Sequence, residues 1–590
     1  MHTRMVLPAA LAFLAACGGP VATREPAVDP RPRPPGARAV VTGSPVVPAT
    51  WALAGRATPV PGAHAMVVSG HPLASAVGLQ ILRQGGNAID AAVATGFALA
   101  VVLPRAGNIG GGGFLLYRDA AGQVSALDYR ETAPARATRD MYVDSAGNVS
   151  DASVTGHLAA GVPGSVAGLH EMWRKYGRLT WPALLAPAIR LAEGHTIDAA
   201  RNRDMKDEAA RLRLFPASAS QFLEGDTALP VGTPWRQPDL ARTLRLIADS
   251  GAAAFYEGRI AGLIADEMAR GGGLITRDDL KSYRAKWRDP ITLWYRGYTI
   301  YSLSPPSSGG ITLGLMLNVL EGYDTLPAIG TAAQVHLAAE VMRRAFVDRN
   351  RYLGDPDFVA LPVERLLSKA YAAQLRAGID PHRATPTTAL WTGGSEHEQT
   401  THYSIVDTAG NAAAVTTTLN GSFGSAVTVT GAGFVLNDQM DDFTSAPGRP
   451  NQYGLVQGDA NAIAPGKRML SAMTPTIVLD ERGRLLMLLG TPGGATIITT
   501  VFQVITEVLD QGMALWDAVA APREHHQALP DVIRYELGGL AAATVDSLRA
   551  MGHVVQERPD YSGDVAAIIR CPAGWLGVAD PRRGGGAEGW

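Results

Sequence analysis

Two adjacent threonines, Thr400 and Thr401, open a run of alternating apolar and polar residues that reads TTHYSIVDTAGNAAAVTTTLN. The alternation on either side of Asp407-Thr408-Ala409-Gly410-Asn411 predicts a hairpin, two strands joined by a Gly/Asn turn. Ahead of it, residues 379–399 carry Pro, Gly and charge without periodicity, so a loop feeds a hydroxyl residue at the head of a strand. A threonine hydroxyl is a weak nucleophile near neutral pH, but an N-terminal threonine brings its own general base in its α-amine. That amine exists only after the Gln399–Thr400 peptide bond is broken. The expected course is attack of Thr400 Oγ on the Gln399 carbonyl, an N-to-O acyl shift to an ester, and hydrolysis, which turns one chain into two. A freed α-amine with a pKa of about 7.7–8.0 is neutral in roughly a quarter of molecules near pH 7.4, close to what a general base requires.

Other stretches carry residue types suited to chemistry. LNDQMDDF contains Gln439 and the adjacent acids Asp441 and Asp442, which on a strand would point to opposite faces and leave one of them for a pocket. TPGG ends in Gly493 and Gly494, and a glycine backbone can come within hydrogen-bond distance of a developing oxyanion. YRETAP places Arg130 at the end of an expected strand, where a guanidinium fork could grip a carboxylate. Three further motifs are weak. Gly110–Gly113 lacks the Lys-Ser/Thr of a phosphate loop, Ser307-Ser308 has no spaced His or Asp partner, and the neighbours His525 and His526 point apart, so no metal set is expected.

The elements that must position these residues can be read from periodicity. Helices are expected over Pro72 to Gln84 and Asn87 to Leu103, the second rich in Ala and Gly and so suited to close packing. A hairpin is expected from Phe114 to Tyr117 and Val124 to Arg130. The middle of the chain reads as a mostly helical scaffold over Ser165 to Tyr176, Trp181 to Glu193, Asp239 to Ser250, Gly258 to Ala269, Thr276 to Tyr283 and Gln334 to Asn350, with one strand at Leu293 to Leu303. With 590 residues, 46% hydrophobic, the chain can bury a large core. A net charge of −2 leaves no basic footprint for nucleic acid.

TTHYSIVD, TTTLN, LNDQMDDF, PNQYGLVQGDANAIAPGKRMLSAMTPT and GTPGG, in that order and spacing, resemble the small subunit of γ-glutamyltranspeptidases. The likeness continues upstream through SGHPLASAVGLQILRQGGNAIDAAVATGFAL, GNIGGGGF, YRETAPARATRDM and SPPSSGGI. The resemblance implies an α+β fold, the four-layer αββα sandwich of N-terminal-nucleophile hydrolases. It also implies a large subunit, 63–399, and a small catalytic subunit, 400–590, that remain together as a heterodimer without a cofactor. By the same resemblance, Thr400 is the nucleophile, Thr418 its hydroxyl partner, and Gly493 and Gly494 the oxyanion hole. Arg130 and Ser471 hold the substrate α-carboxylate, Asp442, Asn420 and Gln439 hold its α-ammonium, and Tyr453 lies in a lid over the pocket, Pro447 to Gly454. The substrates implied are glutathione and related γ-glutamyl compounds, with water or an amino acid or peptide amine as acceptor.

One position departs from the family pattern. LSAM has a single serine, Ser471, followed by Ala472 where the family usually has a second serine. The loss weakens α-carboxylate recognition and keeps a glutaryl acylase of the same fold in play as an alternative. An unprocessed envelope lipoprotein with a binding role is the alternative from outside enzymology.

The first residues form an export signal in outline, with Arg4, an apolar run from Met5 to Ala16 too short to span a bilayer, and Leu14-Ala-Ala-Cys17. Leu-Ala-Ala-Cys resembles a bacterial lipobox, which makes 1–17 a signal peptide and Cys17 a lipidation site. Residues 18–62, with Pro in bursts, are expected to form an extended tether. The expected location is the bacterial cell envelope, outside the cytoplasm, with membrane contact only through the lipid.

Overall fold

The computed structural model describes residues 39–389, 400–445, 451–452 and 455–590. Two seven-stranded antiparallel sheets form its centre. In chain order their strands are β1 (Val60–Gly62), β2 (Met66–Ser69), β3 (Gly112–Arg118), β4 (Val124–Asp128), β5 (Lys286–Arg288), β6 (Ile291–Tyr295), β7 (Tyr298–Ser302), β8 (Thr401–Val406), β9 (Ala412–Thr418), β10 (Thr476–Leu479), β11 (Leu485–Leu489), β12 (Ala566–Cys571), β13 (Gly574–Ala579) and β14 (Gly586–Gly589). The first sheet runs β5-β4-β3-β9-β8-β2-β14 and the second β6-β7-β10-β11-β12-β13-β1. The chain before and after residue 400 therefore alternates within both sheets, and β2 lies between β8 and β14.

Side-chain alternation with period two explains the four layers. In the first sheet Val67, Leu115, Tyr403 and Ile405 face the helical layer made by α1 (Pro72–Arg83) and α2 (Ala88–Val102). Their neighbours Met66, Val68, Phe114, Leu116 and Val406 face the other sheet. In the second sheet Ile477, Leu488 and Ile568 meet them in the middle. Val478, Met487, Leu489 and Ala567 face outward onto α3 (Gly309–Glu321), α4 (Ala332–Tyr352) and α5 (Thr496–Leu509). Strands with both faces covered read as near-continuous apolar runs, as LLMLL in β11 does.

The small residues of α2 allow the close packing expected of them. All fifteen of its residues are buried, and a Cβ on Gly96 would come within 2.9 Å of the Tyr403 hydroxyl on β8. Its one acid, Asp90, closes a capping box with Asn87 and also accepts from the Arg178 amide, so the charge satisfies a helix N-terminus rather than interrupting an apolar face.

Three expectations need correction. The strand expected over Leu293 to Leu303 is a hairpin, β6 and β7, turned by Arg296 (φ 47°) and Gly297 (φ 87°). The strand expected to reach Arg130 stops at Asp128. The tether expected up to residue 62 is folded over its described part. Val40–Thr42 pairs in parallel with Thr325–Pro327, buried Trp51 donates its indole N–H to the Ala520 carbonyl at 2.7 Å, and β1 is the edge of the second sheet.

The segment leading toward residue 390 is also held. Arg344 donates to the Gly378 carbonyl and the Thr385 hydroxyl, Thr385 N–H donates to Glu340, and Thr387 is bound through its hydroxyl by Arg343 and through its N–H by Asp531.

Candidate active site

The register of the central hairpin sets the site. β8 and β9 pair Thr401 with Thr417, so Thr400 and Thr418 sit side by side at the open end, with Gly410 in the turn at the other. Thr400 Oγ1 lies 3.4 Å from Thr418 Oγ1, and both residues are buried. The Asn420 N–H donates to Thr418 Oγ1 at 2.8 Å, fixing that hydroxyl. Asn420 turns the chain away in the left-handed region (φ 81°), which Asn tolerates better than most residues, and its side-chain amide is tied to the Asp438 carbonyl. The Gly110–Gly113 run belongs to this scaffold. Cβ atoms on Gly111 and Gly113 would lie 2.0 Å from the Thr418 carbonyl and 2.4 Å from that of Thr416, so glycine is what lets β3 approach β9.

Thr400, Thr418, Asn420, Gln439, Asp442, Arg130, Ser471 and Gly494 line one small cavity. The two acids of LNDQMDDF separate, though not by strand alternation, because Gln439–Asp442 is a turn of 3₁₀ helix. Asp442 enters the cavity and Asp441 turns away to accept from the Ser153 hydroxyl at 2.8 Å. Arg130 donates directly to Asp442, and Gln439 Nε2 donates to the same carboxylate oxygen at 2.8 Å. The two residues expected to grip opposite ends of a zwitterion thus grip each other.

Beside Arg130, Glu131 is buried, among the described residues no hydrogen-bond donor meets either carboxylate oxygen, and Oε2 lies 3.5 Å from Arg130 Nη1. Burial pushes its pKa up to about 8 against the pull of the Arg130 charge. As pH rises through about 8, Glu131 gains a negative charge that competes with an incoming carboxylate for Arg130. We predict that the KM of a carboxylate-bearing donor rises above that pH in steady-state kinetics, and that Glu131→Gln flattens this limb without moving the kcat profile. An unchanged KM limb in the variant would remove Glu131 from the account. The same shift makes Glu131 most stabilising in mild acid. The unfolded chain releases its proton near 4.5, so this contribution falls as pH climbs toward about 8.

Gly493 (φ 139°) and Gly494 (φ 53°) occupy backbone regions that suit glycine and lead into α5. Their carbonyls accept from Thr496 and Ile497, while among the described residues neither of their N–H groups has a protein acceptor. Free N–H groups ahead of a helix N-terminus form an anion-binding arrangement. Gly494 lines the cavity; Gly493 does not.

Asp438 and Asp441 both accept from Gln452, at 2.8 and 2.9 Å. Burial raises each of these acids to about 7. Tyr453 and most of the expected lid lie outside the described residues, as do Gln399 and Cys17. The Ser471 hydroxyl accepts from the Met473 N–H, and Ala472 lines the cavity next to it.

Sequence reasoning missed Arg349. It comes from α4, within the stretch read as scaffold, and lines the same cavity. The signal was a charge on an apolar stripe, since Met342, Ala345, Phe346 and Arg349 recur at helical spacing.

One buried cluster among the described residues, His336, Glu340 and His553, has ligating atoms close enough for a cation. Glu340 is already bonded to Arg343, Arg344 and the Thr385 N–H, and His336 and His553 are hydrogen-bonded at 2.7 Å. Two guanidiniums on the only carboxylate oppose a metal there.

Comparison with known proteins places the chain in a family. A family model described as Gamma-glutamyltranspeptidase matches residues 74–590. The "Glutathione hydrolase proenzyme" of Escherichia coli (strain K12) is 46% identical over 89% of this chain and 91% of its own. The "Acylase ACY 1 proenzyme" of Pseudomonas sp. (strain V22) is 40% identical over 88% of this chain and 92% of its own. Among solved structures, the cephalosporin acylase from Bacillus halodurans superposes with a TM-score of 0.79 at 28% identity, covering 92% of this chain and 99% of that one. With the family model spanning most of the chain, relatives at 40% identity or more over nearly all of it and a matching fold, the chain belongs to the γ-glutamyltranspeptidase family of N-terminal-nucleophile enzymes.

Proposed function

We propose that the chain cuts itself ahead of Thr400 and then breaks γ-glutamyl amides, glutathione among them, through an ester on the Thr400 hydroxyl. The observation that carries this reading is the cavity in which the Thr400 hydroxyl meets an oppositely charged pair, Arg130 and Asp442. A zwitterionic α-amino acid end offers a carboxylate to Arg130 and an ammonium to Asp442, exchanging one buried ion pair for two.

In the first step the Thr418 hydroxyl, within reach of the Thr400 hydroxyl, assists attack on the Gln399 carbonyl before the amine exists. Once the bond breaks, the Thr400 α-amine takes the hydroxyl proton as Oγ attacks the γ-carbonyl. The N–H groups of Gly493 and Gly494 receive the negative charge that develops on the carbonyl oxygen, and losing one such donor typically lowers the rate about 10²- to 10³-fold. The amine then returns its proton to the leaving group and deprotonates water or an incoming amine, which releases the acyl group.

A second reading is favoured by Ala472. Without a hydroxyl at that position, binding of an α-carboxylate loses about 1.5–3 kcal/mol unless another group replaces it, and two of the similar proteins are named acylases. Relative kcat/KM on γ-glutamyl and glutaryl anilides separates the two, with the γ-glutamyl compound expected to be faster; the reverse order would establish the acylase reading.

We further propose a lipid anchor at Cys17 that holds the enzyme outside the cytoplasm. No helix among the described residues is long and apolar enough to cross a membrane. Cys17→Ser is expected to shift the protein from the membrane pellet to the soluble fraction, and an unshifted distribution would rule the anchor out.

A further inference from the structure

Arg349 has an environment unlike that of the other buried arginines. Eight others among the described residues are buried, and each lies within ion-pair distance of a carboxylate. Arg349, 1% exposed, contacts neutral acceptors only. Its Nε donates to the Ser308 hydroxyl at 3.0 Å and its Nη1 to the side-chain oxygens of Asn350 at 2.8 Å and Gln457 at 3.4 Å. Among the described residues Nη2 has no hydrogen-bond partner, it is not one of the fully enclosed polar atoms, and the residue lines the cavity that holds Thr400.

A buried cation without a counter-charge is unfavourable by several kcal/mol, and such a residue persists where an anion arrives to complete it. Burial pulls the Arg349 pKa down to about 10, with the Asp442 charge opposing, so the group stays cationic at neutral pH. The cavity then contains two guanidiniums, Arg130 and Arg349, against one carboxylate, Asp442, which Arg130 already engages. Glu131 adds little charge below its pKa of about 8. The excess of one positive charge lies in the cavity that Ala472, a residue without a hydroxyl, also lines.

We propose that Arg349 is a second carboxylate anchor of this cavity, binding the terminal carboxylate of the acyl donor in the place left by the hydroxyl absent at Ala472. It follows that donors ending in a carboxylate are bound whether or not an ammonium stands next to it. Asp442 can remain on Arg130 when the ammonium is missing. This inference builds on the reading that the cavity receives an acyl donor at Thr400.

The test uses the mature enzyme and three anilides. γ-Glutamyl anilide carries carboxylate and ammonium, glutaryl anilide the carboxylate alone, and 4-aminobutyryl anilide the ammonium alone. Arg349→Gln is expected to raise KM by about 10- to 100-fold for the first two and to change the third by less than about twofold, with partial recovery in Arg349→Lys. The inhibition constants of glutarate and 4-aminobutyrate should divide the same way. Because Arg349→Gln could misfold, Gln457→Glu provides a second route. It places a carboxylate against Arg349 from within, and should weaken the carboxylate donors while sparing 4-aminobutyryl anilide. Equal losses on all three donors would assign Arg349 a purely structural part and overturn the proposal, as would no loss on any. A wild-type enzyme inert toward all three anilides would instead defeat the donor-cavity reading, and the inference with it.

Discussion

Thr400→Ala is expected to yield a single polypeptide with no measurable turnover, whereas the wild type yields two, the lighter beginning Thr-Thr-His-Tyr. The substitution removes the hydroxyl that cuts the chain and the hydroxyl that would carry the acyl group, and without the cut no α-amine appears to act as base. Losing a nucleophile from such a cooperating set typically lowers kcat by 10⁴-fold or more. The fold should survive, because Thr400 precedes β8 and makes no pairing in the sheet. Thr400→Ser keeps a hydroxyl 3.4 Å from Thr418 in the same register, and should still process, more slowly. Denaturing gels with N-terminal sequencing, together with a γ-glutamyl anilide assay, read both properties. Two polypeptides from the alanine variant would transfer the cleavage to another group and end the nucleophile assignment.

The second large effect is expected from Arg130→Met. The side chain is buried, donates to Asp442 and lies beside Glu131. Removing one partner of a buried pair leaves the other charge stranded, at about 3–5 kcal/mol. The γ-glutamyl donor also loses a carboxylate contact, and kcat/KM should fall roughly 10²- to 10³-fold. A melting temperature lower by several degrees should accompany the loss. The double variant Arg130→Met with Asp442→Asn removes the stranded charge and should recover most of the thermal stability with none of the activity. If the double variant melts as low as the single one, the pair is not what stabilises this region.

The site was more legible in sequence than the parts of the fold around it. The hairpin ahead of Thr418 could be read because its alternation and its Gly410 turn are local and agree with each other. Arg130, Gln439, Asp442, Ser471 and Gly494 stand in linear motifs that resemble those of a known family, and folding brings them to one cavity. The Arg296-Gly297 turn was missed because the apolar pattern continues across it, and only the positive φ of both residues breaks the strand. The expectation that strand alternation separates Asp441 from Asp442 fails, since a 3₁₀ turn does so; it is the family resemblance that singles out Asp442. Residues 39–62 looked like a tether because their partners are remote in sequence: Val60 pairs with Gly577 and Trp51 reaches Ala520. Arg349 was passed over because a helix reads as scaffold until a cavity is seen against one of its turns.

The alternation of chain segments within the two sheets has a practical consequence for the processed protein. A break ahead of Thr400 would leave β2 with a neighbour from the other fragment on each side, and further seams at β3–β9, β7–β10 and β13–β1. Neither fragment keeps a complete sheet, so the two should not come apart on dilution, and losing one should unfold the other. Melting should remain a single transition after the cut, and halves expressed from separate genes should become soluble only when made together.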